Sequence, residues 1–312
     1  MNLTREAIDL SYQACHRLAR RSGSNFYPCF LGLSRDKRRA MDALYAFMRH
    51  TDDLADDPLP AELRRQSLDK WRNALRQALR GQFTPSPRRA ATNGQAANSD
   101  YPCGPELLPA LADVVQRYGV PPEHLQAVID GVGMDLSRLR YETFDELAGY
   151  CERVASAVGL ACIHIWGFRG REALEPARKC GIALQLTNIL RDLKEDSAQD
   201  RVYLPLADLQ QCGYSLDDLF RGVADERFVR LMEFEIGRAE WFYGEGAELI
   251  DHLEPDGRQV FGMMVSTYRA LLRKIKRHPA DVLQRRVRLS RPKKLQIAAR
   301  WILWPPRVAA LS

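Results

Sequence analysis

Apolar residues recur at helical spacing along nearly the whole chain, while alternating β-branched runs of strand length are almost absent. Arg38–Met48 (RRAMDALYAFM), Phe144–Ile165, Cys180–Leu193 and Val229–Leu249 all read this way, and Pro121-Pro122 opens a further helix, where proline is tolerated in the first turn. With 46% hydrophobic residues over 312 positions there is ample material for a large core. The one clear interruption is Gly81–Pro105, rich in Pro, Ala, Asn, Gly and Ser. Helical pattern of the same kind resumes after it, so residues 81–105 are expected to form a flexible surface loop rather than a linker. No internal repeat of fixed period is present. The expectation is an all-α protein with one domain over residues 1–312.

Several classes can be set aside. No run of 18 apolar residues occurs, and the most apolar stretch, Val154–Phe168, is broken by Ser156 and His164, which suits a buried helix better than a membrane span. The opening MNLTREAIDL lacks the charged-then-apolar order of a signal peptide. Seven cysteines without a CxxC pair suit free thiols in a reducing cytoplasm, and zinc is not expected. Gly131-Val132-Gly133 lacks a third glycine and a preceding strand, so no dinucleotide (NADPH) site is visible.

Charge is uneven. The chain carries 46 Lys+Arg against 40 Asp+Glu, net +6. Arg269–Arg300 holds twelve basic residues and a single acid, Asp281, which makes it +11 and leaves about −5 elsewhere. Residues 291–312 form a basic amphipathic tail in which Lys293, Lys294 and Arg300 alternate with Leu295, Ile297, Trp301, Ile302 and Trp304. Such a tail suits peripheral contact with an anionic membrane, on its inner face, or else a plain solvated helix face. Nucleic acid is not expected as a partner, because no recognition module accompanies the charge.

Two acidic clusters carry the chemistry. One is Asp52-Asp53-Leu54-Ala55-Asp56-Asp57; the other runs from Asn188 through Arg191 and Asp192 to Asp196. Spacing of i, i+4 places Asp52 with Asp56 on one helix face, and Asn188, Asp192 and Asp196 on another. Carboxylates one turn apart repel, and a hard divalent cation such as Mg²⁺, its shell completed by water and phosphate, removes that penalty. DxxxD spacing alone leaves a solvated acidic helix end open. The context adds weight: each cluster follows an apolar helix, Gln185 and Asn188 interrupt an apolar run, and Arg49 and Arg191 stand ready to grip phosphate oxygens.

These motifs resemble the squalene/phytoene synthase family, the head-to-head prenyl diphosphate synthases, over nearly the whole length. The matching stretches are SGSNFYPCFLGL (Ser22–Leu33), ALYAFMRHTDDLADD (Ala43–Asp57), RYETFDELAGYCERVASAVGL (Arg140–Leu160), GIALQLTNILRDLKEDSAQDRVYLP (Gly181–Pro205), YRALLRKI (Tyr268–Ile275) and RRVRLSRPKKL (Arg285–Leu295). The resemblance implies an isoprenoid-synthase helical bundle around an apolar cavity. It implies Mg²⁺ ligands at Asp52, Asp56, Asn188, Asp192 and Asp196, and diphosphate contacts at Arg49 and Arg286. Tyr45, Tyr150, Gln185 and Tyr268 would line the reaction cavity. Phe26, Val154, Ala155, Val158 and Gly159 would accommodate the prenyl chains, although small residues at the last four also suit plain helix packing. The opening SGSNFY and closing RRVRLSRPKKL look most like bacterial presqualene diphosphate synthases, which use two farnesyl diphosphates. Phytoene synthases, which use two geranylgeranyl diphosphates, share the same motifs and are the alternative. An inactive relative serving as an assembly factor would be expected to have lost the aspartates, which are intact here. Asp200 departs from the family pattern, standing where relatives usually carry glycine.

Overall fold

The computed structural model describes residues 4–21, 27–83 and 104–303. Phe26, Trp304 and almost all of the expected 81–105 loop lie outside them. Among the described residues every regular element is helical, and strand-like pairing is confined to two isolated bridges, Arg140–Val202 and Phe168–Leu253. The all-α expectation holds. The chain falls into two compact units, residues 1–136 and 137–312.

In the first unit α2 (Arg35–Asp56) is the organising helix; α1 (Arg5–Arg21), α3 (Ala61–Leu79), α4 (Leu108–Tyr118) and α5 (Pro122–Met134) all pack on it. Ser34 caps its start by accepting from the Lys37 amide. Its apolar stripe, from Ala40 through Leu44 and Phe47 to Ala55, is buried, with Phe47 stacked on Trp71 of α3 at 5.7 Å. The Trp71 indole donates to Thr51 (2.9 Å), and Arg64 donates to the Ala55 carbonyl at the frayed end of α2 (2.6 Å). The acidic end of α2 is therefore held by side chains from α3.

In the second unit α8 (Leu174–Arg191) is buried along most of its length, from Pro176 to Arg191, between α7 (Ala157–Trp166), α12 (Glu226–Ala247) and α14 (Pro255–Arg277). The expected Phe144–Ile165 helix is one rod with a defect. Helix α6 (Phe144–Cys151) passes into α7 through a single π turn, Glu152–Ser156. That turn lies against α8: Ser156 Oγ donates to the Arg178 carbonyl (2.6 Å), and a Cβ on Gly181 would sit 2.5 Å from Ser156 Cα. The expected Cys180–Leu193 helix also differs. It ends at Arg191, Asp192 takes φ −102°, ψ 12°, and α9 (Leu193–Ser197) restarts beyond. The Asp196 amide still donates to the Asp192 carbonyl (2.9 Å), so the i, i+4 relation survives the break.

Short helices α10 (Leu206–Gln211), α11 (Leu216–Arg221) and α13 (Leu249–His252) connect the long ones, and α15 (Asp281–Gln284) lies beside α9. The last, α16 (Arg291–Leu303), packs on α14. Here the tail departs from expectation. Ile297 and Trp301 face inward, the Trp301 ring covering Gly262 and its indole donating to Ser266 Oγ (2.9 Å), while Leu295, Ile302 and Leu303 remain exposed. A one-dimensional alternation could not separate the inward-facing Ile297 and Trp301 from the exposed Leu295, Ile302 and Leu303.

Candidate active-site residues

In the first unit, Tyr45, Arg49, Asp52 and Asp56 follow one another along the side of α2 opposite its buried stripe. Arg49 pairs with Asp53 at 2.7 Å rather than with either motif aspartate. Asp52 is reachable by solvent yet crowded by protein. That desolvation, reinforced by Asp56, pushes its carboxyl up to about 7 against the opposing pull of Arg49. A carboxylate driven toward its neutral form beside a second carboxylate has negative charge in excess of what its neighbours offset, the condition a hard cation relieves.

In the second unit the face of α8 that is not sealed in the core presents Leu184, Gln185, Asn188 and, at the bend, Asp192. Asn188 Nδ2 lies 3.4 Å from Gln185 Oε1, while Asn188 Oδ1 is buried without a hydrogen-bond partner. Glu195 Oε2 on α9 is likewise buried and unpartnered. Two buried oxygens with lone pairs and no donor, one turn either side of Asp192, fit a hard-cation site better than a closed salt-bridge network. Asp192 itself is gripped by two arginines: Arg191 Nε at 2.7 Å, and Arg286, whose Nε lies at 2.9 Å and Nη2 at 3.1 Å. Both guanidiniums keep further N–H groups for phosphate oxygens.

Tyr268 on α14 is buried beside Arg191 and Asn188; burial raises its hydroxyl above the ordinary value, with Arg191 opposing. Tyr150 is buried in an aromatic trio with Tyr141 and Tyr203, its ring 5.2 Å from that of Tyr203 and 5.6 Å from that of Tyr141. Val154, Ala155, Val158 and Gly159 are half-buried, while Ser156, Ala157 and Leu160 beside them are sealed in the core. The π turn divides this helix into one stripe that packs and one that stays accessible. π bulges are common at functional positions.

The second unit thus brings together Gln185, Asn188, Arg191, Asp192, Tyr268 and Arg286, and places Asp196 one turn beyond. The first unit aligns Tyr45, Arg49, Asp52 and Asp56 on one helix. Phe26 lies outside the described residues. Glu195, Tyr141 and Tyr203 went unassigned from sequence, although all three sit inside the motif stretches: KED, RYET and VYLP. Among the described residues no three His, Cys, Asp or Glu side chains converge as a ready-made metal cage.

Residues 19–293 match the family model described as squalene/phytoene synthase. The chain belongs to the squalene/phytoene synthase family, whose members condense prenyl diphosphates head to head and generally use a divalent metal to bind the diphosphates. It is 35% identical over 298 residues to a phytoene synthase of Arthrospira platensis, covering 91% of this chain and 90% of that protein. It is also 35% identical over 295 residues to a phytoene synthase of Mycobacterium tuberculosis, covering 94% and 90%. Among solved structures, a squalene synthase from Alicyclobacillus acidocaldarius superposes with a TM-score of 0.76 at 27% identity, over 88% of this chain and 96% of that one. A dehydrosqualene synthase superposes with a TM-score of 0.79 over 95% and 97%; at 24% identity it speaks to the fold alone.

Proposed function

We propose that the protein couples two farnesyl diphosphates head to head, with Mg²⁺, to give presqualene diphosphate. The observation that carries the reading is the joining of Asn188, Asp192, Arg191, Arg286 and Tyr268, with buried oxygens of Asn188 and Glu195 on either side of Asp192 that lack hydrogen-bond partners. Asp52 and Asp56 in the first unit, and Asn188, Asp192 and Asp196 in the second, would hold Mg²⁺, and Glu195 offers a further oxygen donor one turn beyond Asp192. Bound Mg²⁺ would supply positive charge against the departing diphosphate.

The chain's own residues supply the rest. Arg49, Arg191 and Arg286 receive diphosphate oxygens as the C–O bond of one substrate breaks. Val154, Ala155, Val158 and Gly159 seat the hydrocarbon and exclude water from the allylic cation, with the ring of Tyr150 beside them, and Tyr45 offers a ring on α2 of the first unit. The C2–C3 alkene of the second substrate attacks that cation, and loss of a proton closes the cyclopropane. Burial keeps the Tyr268 hydroxyl protonated, so Tyr268 serves as a hydrogen-bond donor, and the released diphosphate takes the proton. The reaction to this point consumes no hydride.

A second reading, condensation of two geranylgeranyl diphosphates to a phytoene-type product, is favoured by the phytoene synthase relatives at 35% identity. The terminal motifs favour the shorter substrate. Purified protein given Mg²⁺ and equimolar C15 and C20 diphosphates should form presqualene diphosphate predominantly. Prephytoene diphosphate or phytoene as the main product overturns the C15 assignment, and absence of any head-to-head product overturns the reaction.

We also propose peripheral attachment to anionic membrane through α16, supported by its exposed Leu295, Ile302 and Leu303 beside basic residues. No helix of the described residues is long and apolar enough to cross a membrane. Co-sedimentation with anionic vesicles that weakens as salt is added tests this.

A further inference from the structure

In the first unit a cleft of about 720 Å³ opens between α1 and the Arg35–Asp42 stretch of α2, at the opposite end of that helix from Asp52 and Asp56. Clefts of about 300–1,000 Å³ are the size that holds small organic ligands. Four arginines line it, Arg17 from α1 and Arg35, Arg38 and Arg39 from α2, against two aspartates, Asp9 and Asp42. With His16 neutral, two positive charges are left in excess. Arg39 is committed, to Asp9 at 2.7 Å and over the Tyr12 ring at 4.4 Å. Arg17 and Arg35 are exposed and make no ion pair or hydrogen bond among the described residues. Arg38 gives one N–H to the Leu33 carbonyl (3.3 Å), but its buried Nε–H has no acceptor. One turn further along α2, Asp42 is only 2% exposed; His16 Nδ1 donates to its Oδ2 at 2.7 Å, while its Oδ1 receives no donor. A buried acceptor on the wall of a cleft costs free energy until something donates to it.

We propose that this cleft binds a phosphate dianion whose carrier also presents an O–H group. Arg17, Arg35 and the Arg38 Nε–H take the phosphate oxygens, and Asp42 Oδ1 accepts from the O–H. Charge selects phosphate over a carboxylate: two positive charges in excess match a dianion, and guanidinium forks meet its oxygens in pairs. Asp42 selects a hydroxyl-bearing ligand over a bare anion, because an unprotonated oxygen facing the carboxylate would be repelled and leave Oδ1 unsatisfied. Sulfate, a dianion without a proton, is the ligand this arrangement rejects. The O–H belongs either to the phosphate itself, as in monohydrogen phosphate, or to the organic part of a small phosphate monoester, for which the cleft has room.

Titration calorimetry of the full chain at about pH 8, above the second phosphate pKa of about 6, compares inorganic phosphate, glycerol 3-phosphate and sulfate. Inorganic phosphate or glycerol 3-phosphate should bind at least about tenfold more tightly than sulfate. If inorganic phosphate is the tighter of the two, Asp42 takes the proton of the phosphate; if glycerol 3-phosphate is, it takes a hydroxyl of the organic part. Arg17→Gln/Arg35→Gln should weaken phosphate binding at least about tenfold. Arg65→Gln/Arg76→Gln, exposed on α3 and outside the cleft, should change it less than about twofold. Asp42→Asn keeps an acceptor for His16 and turns the other oxygen into a donor, so it should erase the preference for phosphate over sulfate. Equal binding of sulfate and phosphate by the unaltered chain overturns the proposal, as does failure of both phosphates to bind. Phosphate binding left intact by Arg17→Gln/Arg35→Gln puts the anion elsewhere, among Arg49, Arg191 and Arg286, and also overturns it. The two arginines are solvent-exposed, so that variant tests the site even where Asp42→Asn fails to fold, and circular dichroism confirms its fold.

Discussion

Asp192 sits where the most functions meet: it ends α8, receives Arg191 and Arg286, and lies between two buried oxygens that lack donors. Asp192→Asn keeps the shape but removes a negative ligand, so turnover should fall at least about 100-fold, since even groups that only support metal ligands cost 10–100-fold when removed. Steady-state turnover across an Mg²⁺ titration checks it; activity near that of the unaltered protein with the same Mg²⁺ dependence would remove Asp192 from the metal assignment. Asp200 shows a different logic. Its φ of +57° is a left-handed conformation, the kind that glycine adopts without strain. Arg140 compensates, bonding both the Asp200 carbonyl and its carboxylate. Asp200→Gly relieves about 1 kcal/mol of backbone strain but gives up an exposed ion pair worth up to about 1 kcal/mol and frees the unfolded chain. The expected net loss is below about 1 kcal/mol by urea denaturation.

At the level of elements, the π turn and α8 are a matched pair, because a side chain at Gly181 of α8 would force them apart. Gly181→Ala would drive a Cβ to 2.5 Å from Ser156 Cα and 2.7 Å from its amide nitrogen, both backbone atoms that cannot swing aside. A loss of roughly 2–3 kcal/mol is expected. Gly237→Ala on α12, with nothing within 4 Å of the new Cβ, should instead gain up to about 1 kcal/mol through helix propensity. Thermal unfolding of the two variants should move in opposite directions. None of this pairing was legible in the sequence. A 3.6-residue period gives the helix from Phe144 onward, but one extra residue in one turn barely disturbs the pattern, and Gly181 reads as an ordinary small residue. The acidic motifs were legible because metal-ligand chemistry fixes residue type as well as spacing. The bend at Asp192 was not, since its backbone still makes the i→i+4 hydrogen bonds that a continuous helix would make.

For the molecule as a whole, two buried groups set opposite pH limits, one in each unit. In the first, burial holds His50, edge-on to Trp71 at 4.6 Å, down at about 4. Its folded value lies below the unfolded 6.5, so its stability is present above pH 6.5 and lost as pH falls toward 4. In the second unit, burial lifts Glu235 to about 8 although Arg238 donates to it at 2.7 Å. Its folded value lies above the ordinary 4.5, so its stability is full below that value and is lost as pH rises through 8. Glu235→Gln should flatten the decline in urea midpoint between pH 5 and 8, leaving the acid limb unchanged; an unaltered alkaline slope would show that another group sets it. The basic tail was visible in the sequence as charge, but its core partner was not, because Gly262 is remote in sequence from Trp301. That partnership has a practical consequence. Trimming the chain back to Arg291 removes a tryptophan from the interior and uncovers Gly262 and Ser266. Loss of a buried aromatic of this size costs about 3–5 kcal/mol, a large share of the 5–15 kcal/mol typical of whole domains. A shortened protein would therefore report chiefly on its own weakened core, and single-residue changes on the outer face of α16 are the route to its surface role.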